Sequence, residues 1–122
     1  MTLEELYARM GGNYEHAKQI MKMDKLIDKY IRKLKNSEVG DKLAAAGETM
    51  DATALFESAH ALKGVCANLG LDNLANAAEE ITEEFRPGNS RKLSDEEVKG
   101  ELLSISETYQ KVLACIEEYT NS

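Results

Sequence analysis

In the stretch "HALKGVCANLGLDNL", residues 60–74, a histidine stands three residues before a lysine and four before a glycine. Neutral imidazole is a good nucleophile near neutral pH, since its unperturbed pKa is ~6.5. Attack by Nε2 on phosphorus leaves a reactive P–N bond that passes its group onward. Phosphoryl transfer of this kind needs chiefly positioning and charge compensation, and a lysine one helical turn away offers a cation for the second.

A histidine on an ordinary helix is more often a satisfied surface residue than a reactive one, so its neighbours must carry the case. At ~100° per residue, Leu55, Ala59, Leu62, Val65, Cys66 and Leu69 share one broad face, and His60 points the opposite way, to solvent. Phe56, Lys63, Gly64 and Ala67, at i−4, i+3, i+4 and i+7, lie on the histidine's face. Phe56 is expected as an exposed aromatic which, with Ala67, gives a partner something to dock on. Gly64 costs about 1 kcal/mol relative to alanine inside a helix. Its missing side chain leaves space beside the imidazole for a partner's backbone or a bulky group.

These residues need elements to hold them, and the punctuation of the chain divides it into helices. Gly11-Gly12 ends a first short helix, and Asn13 starts a second through "YEHAKQIM". Leu26, Ile27, Tyr30, Ile31 and Leu34 mark the apolar stripe of a third, which ends near Asn36-Ser37. The piece "EVGDKLAAAG" then reads as a short bridge to Asp51, which caps the helix carrying His60. Gly70 supplies a left-handed closing residue and Asp72 a cap for the next helix, with Leu71, Leu74, Ala78, Ile81 and Phe85 as its stripe. After Pro87-Gly88, Ser94 and Glu97 form a capping-box signature. Val98, Leu102, Ile105, Tyr109, Val112, Ile116 and Tyr119, spaced four and three in turn, make the seam of the last helix.

Amphipathic helices, short connections and no strand-like alternation predict an all-α fold, an antiparallel four-helix bundle with short additional helices at its N-terminus. Residues 1–122 are expected to form one domain, since 122 residues supply one core and not two. Reflecting the helical hairpin about its turn near residue 71 sets Thr82 level with His60, with Glu79, Glu83 and Arg86 within about a turn. A hydroxyl or carboxylate there could bond Nδ1 and leave Nε2 free, which makes Thr82 a candidate for orienting the ring.

Composition narrows the partners. A net charge of −7 argues against nucleic acid, which demands a concentrated basic face, and the lysines between Lys18 and Lys42 are interspersed with acids. No apolar run approaches the ~20 residues that span a bilayer, and "MTLEELYARM" lacks the order of a secretory signal. A cytoplasmic protein is expected, with no membrane partner, and with Cys66 and Cys115 as free packing thiols rather than a disulfide framework.

The run from His60 through Leu62, Lys63 and Gly64 to Leu69, Gly70 and Leu74 resembles the motif of histidine-containing phosphotransfer (HPt) domains, and the lead-in "FESAHALKG" is similar too. The resemblance implies a four-helix bundle that carries phosphate in a multistep two-component phosphorelay. By position it implies His60 as phosphoacceptor, Lys63 as the phosphoryl-stabilising cation and Gly64 as the access residue. The partners it implies are response-regulator receiver domains and a sensor or hybrid histidine kinase. The chain is then a monomeric phosphoprotein without cofactor or metal of its own, Mg²⁺ being carried by the receiver. No ATP-binding kinase motif occurs, so the chain is not expected to be an enzyme that phosphorylates itself. Thr82 stands near where many members place Gln or Glu beside the histidine, and Cys66 where a small residue is common.

Two other readings compete. "E57-S-A-H60" has the Glu-x-x-His spacing of di-iron bundles, but such a site needs a second copy, and His16 has Asn13 three residues before it. A bundle that only binds a protein through the face around Phe56 and His60, without chemistry, would use the same surface but would not call for His, Lys and Gly together.

Overall fold

The computed structural model describes residues 1–121. Along the chain run α1 (Leu3–Met10), α2 (Tyr14–Met21), α3 (Asp24–Lys35), α4 (Val39–Thr49), α5 (Ala52–Asn68), α6 (Asp72–Phe85) and α7 (Asp95–Asn121). Among the described residues there is no strand, as the patterning predicts.

The helix ends follow from side chains placed to catch free backbone N–H groups. Thr2 and Glu5 form a reciprocal capping box on α1, and Gly11 closes that helix at φ +71°. Asn13 accepts from the His16 amide at 3.0 Å to start α2, and Asp51 accepts from the Ala54 amide at 3.0 Å to start α5. Ser94 and Glu97 exchange two bonds of 3.1 Å at the head of α7. Each such cap is worth about 1 kcal/mol.

Helices α4, α5, α6 and α7 close a four-membered ring in which each packs against its two neighbours. The sequence reading of residues 38–47 as a short bridge is corrected here, because α4 is a full member of the bundle. Its glycines concealed it. A Cβ on Gly40 would strike the Tyr109 ring and one on Gly47 would come within 2.7 Å of Leu102, so both residues let α4 approach α7 closely. That gain in packing outweighs the roughly 1 kcal/mol each glycine costs inside a helix.

The core between these helices is apolar and continuous. Leu55, Ala59, Leu62 and Cys66 from α5 meet Leu74, Ala78 and Ile81 from α6 and Val98, Ile105, Val112 and Ile116 from α7. Helices α1 and α3 add a layer against α7, contributing Leu6, Ile27, Ile31 and Leu34. Buried Tyr7 donates a 2.7 Å hydrogen bond to the Leu69 carbonyl, tying α1 to the end of α5.

The α5–α6 turn is itself anchored. Gly70 adopts φ +68°, and a side chain there would collide with the Asn13 carbonyl, while the Asn13 amide donates to the Gly70 carbonyl at 2.7 Å. Asp72 does not cap α6 as expected; the helix begins after Leu71 with no side-chain cap. Its carboxylate instead receives His16 Nδ1 at 2.8 Å and Asn13 Nδ2 at 3.4 Å, so it clamps α2 onto the turn. No helix is long and apolar enough to cross a membrane among the described residues.

Candidate functional site

The middle of α5 presents the residues the sequence singled out. Leu55, Ala59, Leu62 and Cys66 are buried on the inner face, while His60 and Gly64 are exposed and Phe56, Lys63 and Ala67 are half-buried around them. Lys63 Nζ lies 2.8 Å from Glu79 Oε2 on α6, and the Arg86 guanidinium sits 5.3 Å from the centre of the Phe56 ring. Both contacts place the mirror of the hairpin at Leu71, so His60 is level with Thr82 as the antiparallel register predicts.

Register alone does not make Thr82 a partner of the ring. Its side chain is fully buried, and its hydroxyl donates to the Ala78 carbonyl at 2.8 Å. A β-branched residue in a helix readily bonds back to the carbonyl four residues before it. The expectation that Thr82 orients His60 is therefore corrected: it turns into the core and the imidazole turns away from it.

Phe56 is the side chain that lies beside the imidazole. Its ring stacks on that of His60, with centroids 6.0 Å apart and planes 13° from parallel. It is not the exposed aromatic expected from the wheel, because α6 rises beside it and Arg86 covers it. The sequence held the signal for Phe56 in its i−4 spacing, whereas the cover by Arg86 depends on the hairpin packing.

A chain of contacts thus runs along one flank of the histidine. Arg86 pairs with Glu83 at 2.7 Å, which lowers the Glu83 carboxyl below its ordinary pKa, and Glu83 in turn approaches Glu79. Glu79 completes the chain at Lys63. Both cations on this flank, Lys63 and Arg86, are therefore matched by α6 carboxylates, and the sequence alone did not reveal that matching.

The other flank is open. A Cβ on Gly64 would meet nothing within 4 Å. Gly100 on α7 is equally uncrowded, so openness alone marks no site, but at Gly64 it lies one turn from the imidazole. Neither a left-handed backbone nor close packing calls for a glycine at position 64.

Farther along the open flank, a groove of about 500 Å³ is lined by Ile20, Met21, Tyr30, Leu34, Val65 and Leu69. Ile20 and Tyr30 are 40% and 38% exposed, more than their size would suggest for core residues. Tyr30, expected in the apolar stripe of α3, lines this groove. Lys33 borders it, and Lys29 and Lys33 lie 5.8 and 5.1 Å from the Tyr30 ring.

Cys66 is buried on the core face, where desolvation pushes its thiol up to about 12, and Cys115 packs at the border of the core. Among the described residues, no group of three or more His, Cys, Asp or Glu is arranged to hold a metal ion.

The described residues thus form an all-helical bundle that presents the exposed imidazole of His60 with Lys63 and the uncrowded Gly64 beside it. A family model described as the Hpt domain matches residues 22–118, and the chain belongs to that family. Its members are phosphotransfer carriers, not kinases, and work in two-component phosphorelays with receiver domains and histidine kinases. Comparison with curated proteins and with solved structures returns no match.

Proposed function

We propose that His60 is the phosphoacceptor of this chain, exchanging a phosphoryl group with the aspartate of a response-regulator receiver domain. The observation that carries this reading is the joint placement of an exposed imidazole, the Lys63 ammonium and the uncrowded Gly64 on one face of α5.

In the forward step the Nε2 lone pair attacks phosphorus of the aspartyl phosphate, the new N–P bond forms, and the P–O bond to the aspartate breaks. The aspartate leaves as a carboxylate, and the imidazole keeps its Nδ1 proton. Return transfer reverses each change. Lys63 compensates charge on the equatorial phosphoryl oxygens, and Mg²⁺ held by the receiver compensates the rest. The chain needs no cofactor or metal of its own for this.

Docking falls to the surface around the histidine. Phe56 and Ala67 border the imidazole, and the groove from Ile20 to Leu69 extends the apolar surface on the open flank. The basic rim of α3 suits a partner whose phosphorylation site is built from carboxylates. We place the protein in the cytoplasm, as a monomer that meets its partners one at a time. Incubation with a phosphorylated receiver domain tests the reading: label should move to the chain and be lost in His60→Gln.

A further inference from the structure

The Lys63–Glu79 pair has a consequence for the poise of the site. In the unphosphorylated protein the Lys63 ammonium is not waiting free; it lies 2.8 Å from Glu79 Oε2, an oxygen that is itself out of reach of solvent. Among the described residues that oxygen has no hydrogen-bond donor, and Lys63 is the cation paired with it. Lys63 leaves α5 toward α6, and a phosphoryl group on His60 would draw the ammonium back across the face of its own helix, where i and i+3 side chains meet.

We infer that Glu79 is a positioning residue that competes with the phosphoryl group for Lys63 and so keeps the phosphohistidine from becoming too stable to pass its group on. This rests on the reading of His60 as phosphoacceptor. A carrier needs free energies close to balanced on either side of the transfer, and a cation shared between a fixed carboxylate and a transient dianion lowers the affinity of the site for the dianion. The competition costs phosphohistidine stability by as much as the ion pair is worth in its absence. For a pair of which each side chain is about a third exposed, that corresponds to about two- to fivefold in the equilibrium.

Glu83 and Arg86 do not duplicate the device. They neutralise one another three residues apart on α6 and against Phe56, so Glu83 has its own cation and leaves Glu79 to Lys63. Glu80, the next residue along, is exposed and turned to the α6–α7 side, where it lines a different cleft with Glu84 and Glu101.

The experiment measures the equilibrium of labelled phosphoryl between a receiver domain and the full chain, together with the lifetime of the isolated phosphorylated chain. Wild type, Glu79→Gln, Lys63→Ala, the Lys63→Ala/Glu79→Gln double variant and Glu80→Gln are compared. Glu79→Gln should raise the phosphohistidine fraction by about two- to fivefold and lengthen its lifetime. The same substitution should do nothing in the Lys63→Ala background, and Glu80→Gln, with the same change in net charge, should match wild type.

An unchanged or lowered phosphohistidine level in Glu79→Gln overturns the inference while leaving His60 as acceptor. So does an equal rise in the Lys63→Ala background, which would mean that Glu79 repels the phosphoryl group directly. If wild type takes no label, the reading of His60 fails and the inference falls with it. The Glu79 side chain is about a third exposed and Gln keeps its size, so the Gln variant should fold, and coincident far-ultraviolet circular dichroism melts verify it.

Discussion

The ring of Phe56 lies against that of His60, one turn away on α5, with centroids 6.0 Å apart and planes 13° from parallel. An exposed imidazole on a bare helix would sample several rotamers, whereas a ring stacked on a side chain that Arg86 also covers has fewer. The side chain beside the imidazole is therefore Phe56, while the Thr82 hydroxyl that the register set level with it is bonded to the Ala78 carbonyl.

Phe56→Ala removes this splint and should slow transfer by about two- to tenfold, the worth of an aromatic pair beyond its area. Because Phe56 is only half-buried, the cost to stability should be about 1–2 kcal/mol, below the value for a fully buried ring. Single-turnover transfer rates and urea unfolding of the same variant separate the two effects.

Gly64→Gln should abolish or strongly impair transfer while raising helix propensity by about 0.5–1 kcal/mol. Space for the new side chain exists, so the fold accepts it. A gain in thermal midpoint together with lost transfer is the signature of a glycine kept for access. Normal transfer in this variant would contradict the access role.

Lys63→Ala should slow transfer or shorten the life of the phosphorylated chain. Its ion pair is about a third exposed on each side, so stability should change by less than about 1 kcal/mol. Differential scanning calorimetry and the decay of label report the two quantities independently.

Two carboxylates, Glu84 on α6 and Glu101 on α7, should move acid stability in opposite directions. Glu84 is buried and accepts the amides of Leu93 at 2.8 Å and Lys92 at 2.9 Å and the Arg91 guanidinium at 3.2 Å. The Leu93 amide is the largest cause of its lowered pKa, so its contribution is present above the unfolded carboxylate value and is lost as pH falls through the folded one. Glu84→Ala should cost about 1–3 kcal/mol near neutral pH and flatten the acid limb of the stability curve.

Glu101 is the reverse case: burial first, and then Glu80, Glu84 and Glu97, raise its pKa. Its protonated form favours the fold below the unfolded carboxylate value, and that benefit is lost as pH rises through the raised folded value. Glu101→Gln should accordingly raise the melting temperature at pH 7 and leave it unchanged at pH 3.

Most of the site was legible because it sits on one helix, where spacing alone decides which side chains share a face. His60, Lys63, Gly64, Phe56 and Ala67 needed only the helical period, and the turn at Gly70 fixed the register with α6. What the sequence could not convey depended on contacts between helices. Thr82 was correctly levelled with His60, but its inward rotamer and bond to Ala78 follow from core packing. Glu79 and Glu83 were near the right place without any sign that they hold Lys63 and Arg86. Helix α4 was missed because Gly40 and Gly47 lower local propensity for a reason visible only in its approach to Tyr109 and Leu102, and the groove beside Tyr30 requires three helices to meet.

The central claim is that His60 carries the phosphoryl group, and transfer from a radiolabelled receiver domain tests it most directly. The account predicts label on the wild-type chain in an adduct that acid destroys and base spares, and none on a His60→Gln variant with an unchanged circular dichroism spectrum. Label that persists on the folded His60→Gln protein, or an adduct stable to acid, would contradict it.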